Sequence, residues 1–184
     1  MLEALEGVEK LGEINRLFLI LSRRKQRRIK QTTLVNACKR TAGLATQYPR
    51  PRPAIEIAIR AGLLKASPEF LTVTERGCQF ASKGTAPVNL SHEQGKLLLG
   101  ALLNDSTVEQ NVSRLLGRFR SVRGRLVARK NSVEQSTTQL LFCRLLQQAG
   151  ALFTAGDCFV VNRSFEDLLR PFAAKPTKLV SIPA

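Results

Sequence analysis

Apolar residues recur every three or four positions at Val8, Leu11, Ile14, Leu17, Phe18 and Leu21. That is the period of one helix face, and it predicts a helix over 8–22. A second helix is expected over 31–42, with Leu34, Val35, Cys38 and Ala42 inward and Gly43 as its stop. Between them lies the basic stretch 23–30. The run Gln47-Tyr48-Pro49-Arg50-Pro51-Arg52-Pro53 reads as extended, because a residue preceding proline is pushed out of the helical region. Pro53 then suits the first turn of a helix over 53–62 that stops at Gly62. Short strands are expected at Leu63-Leu64-Lys65 and Phe70-Leu71-Thr72-Val73, with a short helix from Thr74 and Glu75 to Ala81. Ser91 followed by Gln94 three residues on is a capping box for a helix over about 92–104. Further helices are predicted over 107–122 and 133–149, joined by a basic connection at 123–132, and Glu166-Asp167 opens a last one.

Residues 58–74 (AIRAGLLKASPEFLTVT) and 146–162 (LQQAGALFTAGDCFVVN) align without a gap at an offset of 88. Each places Ala-Gly at a helix end, then apolar residues, a tight turn closing on an acid (Glu69, Asp157) and an apolar strand. Helix, glycine stop, strand, turn and strand is the recognition-helix-and-wing half of a winged helix. The alternative is that any helix followed by a hairpin gives such a pattern. The fold expected is therefore mainly α with short β-hairpins, a tandem winged helix-turn-helix. Its first domain would be 1–86, its second 87–170 with a helical linker, and 171–184 a tail.

Charge sharpens this reading. The 184 residues hold 29 Lys and Arg against 14 Asp and Glu, a net charge of +15. Such an excess calls for an anionic partner. It is unevenly spread, with net −2 over 1–22, +11 over 23–65, +4 over 66–134 and +2 over 135–184. Residues 112–133 carry seven cations and no acid. Arginine predominates in both basic stretches, and its planar fork matches phosphate oxygens and guanine edges. The candidate nucleic-acid contacts are Arg23, Arg24, Lys25, Arg27, Arg28 and Lys30, then Gln47, Tyr48, Arg50 and Arg52. The second set is Arg118, Arg120, Arg123, Arg125, Arg129 and Lys130. On the helix that follows, Gln135, Thr137, Thr138 and Gln139 suit base edges, sugars or plain solvent equally. Glu56 and Arg60, four apart, are placed to pair. A solvated basic surface is the alternative for every cation named. Aromatic residues are nearly absent from both stretches, which favours duplex over single-strand stacking.

The run Leu71-Thr72-Val73-Thr74-Glu75-Arg76-Gly77 resembles the L-T-x-x-G wing strand of many prokaryotic winged-helix domains. With Leu90-Ser91, Glu93-Gln94 and the second helix-glycine-hairpin, the order over 10–170 resembles tandem winged-helix subunits of bacterial mobile-element defence or SMC-type systems. The resemblance implies a DNA-contacting or adaptor subunit beside a larger ATPase or nuclease, with a homodimer as a further option. An RNA-binding factor is compatible with the same charge.

Other classes receive little support. There is no GxxxxGK[ST] or GxGxxG motif, so no nucleotide cradle of a recognised kind, and no cofactor is expected. The single histidine, His92, follows a capping serine and reads as a helix-start surface residue. Acids are few and scattered, and no nucleophile sits beside a base, so no enzyme is expected. Cys38, Cys78, Cys143 and Cys158 show no metal-ligand spacing and read as free thiols of a cytoplasmic protein. The longest apolar runs fall far short of the ~20 residues needed to span a membrane, and residues 1–10 lack a secretory pattern.

Overall fold

The computed structural model describes residues 1–8, 11–23, 27–41, 51–84 and 89–173. Arg24, Lys25, Gly43, Gln47, Tyr48, Arg50 and residues 174–184 of the tail expected at 171–184 therefore lie outside the described residues, while 171–173 belong to the last helix.

Two short helices open the chain, α1 (Leu2–Gly7) and α2 (Gly12–Arg23). The helix expected over 8–22 begins only at Gly12, and α1 precedes it unanticipated, with Val8 capping α1 in an extended conformation. Ile14, Leu17, Phe18 and Leu21 of α2 are buried as their spacing requires. Part of the basic stretch is a strand, β1 (Arg28–Lys30), rather than a free connection. It is followed by α3 (Gln31–Thr41) and α4 (Pro51–Arg60). Helix α4 begins two residues earlier than expected, on Pro51 itself. The first turn of a helix has no use for its N–H groups, so prolines at 51 and 53 are tolerated there. Strands β2 (Leu64–Ala66) and β3 (Phe70–Val73) complete an antiparallel sheet ordered β1-β3-β2.

Helices α5 (Glu75–Ser82) and α6 (His92–Leu102) bridge to the second half. Thr74 caps α5 by accepting from the Gly77 N–H, and the capping box of Ser91 and Gln94 forms as expected. Then come α7 (Ser106–Leu116), β4 (Arg120–Val122), β5 (Arg125–Arg129), α8 (Lys130–Val133) and α9 (Thr137–Gln148). Strands β6 (Leu152–Ala155) and β7 (Cys158–Val161) follow, and the chain closes with a 3-10 turn, Arg163–Phe165, and α10 (Glu166–Ala173). The second sheet is antiparallel and ordered β4-β5-β7-β6.

Two expectations are corrected here. The helix over 107–122 ends at Leu116, and the basic connection 123–132 is mostly the β4–β5 hairpin. The long helix over 133–149 is two helices, because Ser136 turns the chain and caps α9 at the Gln139 N–H.

The 88-residue repeat is present at atomic detail. Gly62 and Gly150 both adopt positive φ, +68° and +79°, the left-handed conformation that ends a helix on glycine. The Leu63 N–H bonds to the Ala58 carbonyl and the Ala151 N–H to the Leu146 carbonyl, both at 2.8 Å. Leu64 pairs with Val73 as Leu152 pairs with Val161. Thr74 Oγ1 donates to the Gly62 carbonyl, and Asn162 Nδ2 donates to the Gly150 carbonyl. The repeat also extends upstream. β1 pairs with β3 as β5 pairs with β7, and the next N–H (Gln31, Lys130) bonds to the backbone carbonyl of the acid at the hairpin turn (Glu69, Asp157). The copies differ chiefly between strand and helix, where the 11 residues of α3 correspond to the 4 of α8.

The halves share one continuous apolar cluster, running from Ala4 and Leu5 to Phe165 and Leu169. The Leu11 N–H bonds to Gln148 Oε1 at 2.8 Å. Gln94, fully buried, donates to Asn15 Oδ1 and to the Phe80 carbonyl. Burial also sets the thiols. It pushes Cys38 up to about 11, against the opposing charge of Arg16, and Cys143 up to about 12, with Glu134 adding to the rise.

Candidate nucleic-acid interface

In the first unit, the two-residue period of β1 buries Ile29 and turns Arg28 and Lys30 outward. Arg28 lies over the ring of Phe70 at 4.1 Å, and Lys30 Nζ stands 6.0 Å from the same ring. In both contacts the cationic group itself faces the ring, and both residues stay exposed. On α4, Arg52, Glu56 and Arg60 share the exposed face at helical spacing. Arg60 Nε donates to Glu56 Oε1 at 3.1 Å and its guanidinium lies 3.7 Å from Asp105. The pairing of Glu56 with Arg60 expected from their spacing is therefore present, and it neutralises the one acid of α4.

Lys30, Lys39 and Arg52 line one cleft of about 940 Å³ between α3, α4 and the β2–β3 turn, together with Glu56 and Glu69. Lys30 and Arg52 belong to the contacts expected from the sequence, whereas Lys39 does not. Its signal was available, since it projects from α3 one turn beyond Val35 and Asn36, which line the same cleft. Arg27 is set apart, bordering a smaller pocket with Phe18 and Val73. Arg23 ends α2.

In the second unit, strands β4 and β5 meet at a two-residue turn in which Arg123 and Gly124 both have positive φ, +50° and +78°. Such a turn follows the twist of a hairpin, whereas types with negative φ splay the strands. Register places Arg120 opposite Val127 and Val122 opposite Arg125. Arg120, Val122, Arg125, Val127 and Arg129 consequently share the face turned away from Leu126 and Ala128, which are buried. Arg120, Arg123, Arg125 and Arg129 are all exposed, and none of them pairs with a carboxylate among the described residues. Arg118, Arg120 and Arg129 line a cleft of about 520 Å³ that contains no acid.

Arg118 departs from the expectation that it meets phosphate. Its guanidinium donates to the Ser132 carbonyl and to Gln135 Oε1, fixing the end of α8. Lys130 is half-buried at the start of α8, its N–H bonded to Asp157. Gln135 and Gln139 are likewise occupied, since Gln139 Oε1 accepts from the Gln135 N–H. The exposed residues of α9 are Thr137, Leu140, Arg144 and Gln147. Through the repeat, Leu140 and Phe153 stand where the first unit has Arg52 and Lys65, and both are exposed (46% and 42%). The two units thus present different chemistry from equivalent positions.

His92 is exposed at the start of α6, its ring edge against Phe165 at 4.9 Å. Phe165 and Leu169 are buried, and Leu168 and Phe172 of α10 are half-buried against the core. Among the described residues no group of three His, Cys, Asp or Glu is arranged to hold a metal ion. No helix among them is long and apolar enough to cross a membrane. No protein-family model, curated protein or solved structure matches this chain.

Proposed function

We propose that this chain is a non-enzymatic double-stranded DNA-binding protein, built of two winged-helix units and acting as a subunit or regulator of a larger prokaryotic DNA-processing or defence assembly. Each unit supplies the order strand, helix, helix, strand, strand, with the first strand pairing the last, which is the wiring of a winged helix. In that frame α4 and α9 are the recognition helices, and the β2–β3 and β6–β7 turns are the wings. The observation that carries the reading is a set of exposed cations that form no ion pair among the described residues. Lys30, Lys39 and Arg52 gather in one cleft, Arg120, Arg123, Arg125 and Arg129 on one hairpin, and none of the seven has an ion pair among the described residues. Cations left unpaired in this way suit phosphate contacts, which give affinity and register but no sequence information.

Charge reversal tests it. Arg52→Glu, and separately Arg120→Glu with Arg129→Glu, should each weaken duplex binding at least tenfold in fluorescence anisotropy while the melting temperature holds. Unchanged affinity in both variants would remove the proposal. A second reading, an adaptor that docks an ATPase or nuclease, is favoured by exposed Leu140 and Phe153 on the second unit. In that case Leu140→Asp would release the partner without affecting DNA binding.

A further inference from the structure

From the β4–β5 hairpin we infer a second mode of contact, one that rests on the DNA-binding reading. The tip of this hairpin enters the DNA minor groove and gives the protein a preference for A·T-rich duplex. The hairpin belongs to neither wing and has no counterpart in the first unit, where β1 is an edge strand. Its tip is Arg123-Gly124, flanked by Val122 and Arg125.

Geometry decides which groove is suitable. Two strands lie about 4.8 Å apart before their side chains are counted, so the ribbon itself is too broad for a minor groove about 6 Å wide. A single side chain at the tip is not. Arg123 is that side chain, and Arg120 and Arg125 sit further back on one face, placed to meet the phosphates that border the groove.

Val122 is 52% exposed among these arginines, the most exposed large apolar residue of the described chain. Phosphate alone gives such a residue nothing to cover it. The walls of the minor groove are deoxyribose and do. The tip is also held in place, because Arg170 of α10 donates to the Gly124 carbonyl at 3.4 Å while paired with Glu166 at 2.9 Å. A tethered tip loses less freedom on binding than a loose one. Narrow A·T-rich minor grooves concentrate negative potential and draw an inserted arginine, whereas the guanine amino group obstructs it.

Three duplexes of equal length test the inference: A·T-rich, G·C-rich, and the G·C sequence with inosine replacing guanine. An inosine·cytosine pair keeps the G·C acceptors of the major groove but has the minor-groove outline of A·T. The full chain should bind the inosine duplex like the A·T duplex, about tenfold tighter than the G·C duplex, the scale of one mismatched base pair. Arg123→Gly, at ease at φ +50°, should erase that difference, so that the three duplexes bind alike, with the melting temperature at or above the parent value.

Binding of the inosine duplex like the G·C duplex, or a preference that survives Arg123→Gly, overturns the inference and leaves DNA binding standing. Failure to bind any of the three overturns the DNA-binding reading and this inference with it.

Discussion

Two glycines five residues apart on α6 are predicted to respond to alanine with opposite signs. A Cβ built on Gly95 would lie 2.0 Å from the Ala149 carbonyl oxygen and 2.9 Å from its carbon. Both are backbone atoms, held because the Ala149 N–H bonds to Leu145 and Gly150 turns the chain at once. Relief must come from moving α6 away from the end of α9, in a region where Leu98, Leu99, Leu145 and Leu146 are buried. Overpacking of this kind costs about 1–3 kcal/mol, and a chain of this size loses about 2–4 °C of melting temperature per kcal/mol.

Gly95→Ala should therefore melt roughly 3–10 °C below the parent. At Gly100 the nearest atom to a new Cβ is Leu168 Cδ1 at 3.8 Å, an ordinary contact. There the substitution only reduces the freedom of the unfolded chain and should gain about 0.5–1 kcal/mol. Thermal melts followed by circular dichroism at 222 nm, repeated in urea with an unchanged m-value, read both effects. Equal melting temperatures for Gly95→Ala and the parent would refute the seating of α6 on α9 and the single core that depends on it.

Four more outcomes are expected. Thr74→Ala removes the α5 cap and the bond that ties it to the Gly62 carbonyl, and should cost about 1–2 kcal/mol in denaturant unfolding. Gln94→Leu keeps the volume but strips hydrogen bonds to Asn15, Phe80 and Ser91 from a fully buried position, a loss of about 2–3 kcal/mol by the same measurement. The thiols give a pH dependence of definite sign. Cys38 and Cys143 have pKa values raised by burial to about 11 and about 12. Above the ordinary thiol range, the unfolded chain therefore gives up protons that the folded chain keeps. Stability should fall as pH rises from about 9 towards 11. At pH 8 a thiol reagent should modify half-buried Cys78 and Cys158 well before the other two, as mass spectrometry after timed quenching would show.

Periodicity and turn chemistry made much of the fold legible. The stripe of α2, the capping box of α6, the stops at Gly62 and Gly150 and the β2–β3 and β6–β7 hairpins follow from local rules that the tertiary structure does not override. The repeat was readable because its copies have equal length from the glycine stop onward. Its upstream part was hidden by the shortening of α3 to α8, which breaks any gapless alignment. Strands β1 and β4 were hidden for a different reason. Each has three residues, too few for an alternation to register: β1 has one apolar residue between two cations, and β4 is exposed throughout.

The cations themselves were legible as a set but not as individuals. Sequence cannot tell that Arg118 turns inward to Ser132 while Arg120, two residues on, stays exposed. That distinction arises from where the loop after α7 directs the side chain, and only the folded chain fixes it.

The most direct test of the account is the salt dependence of binding to duplex DNA, set beside duplex RNA and single strands of matched length. Seven unpaired cations at about 0.9 counterions each predict a slope of log K on log salt near −6 for duplex DNA, with weaker binding of the other two. A slope shallower than about −2, or tighter binding of duplex RNA, would contradict it.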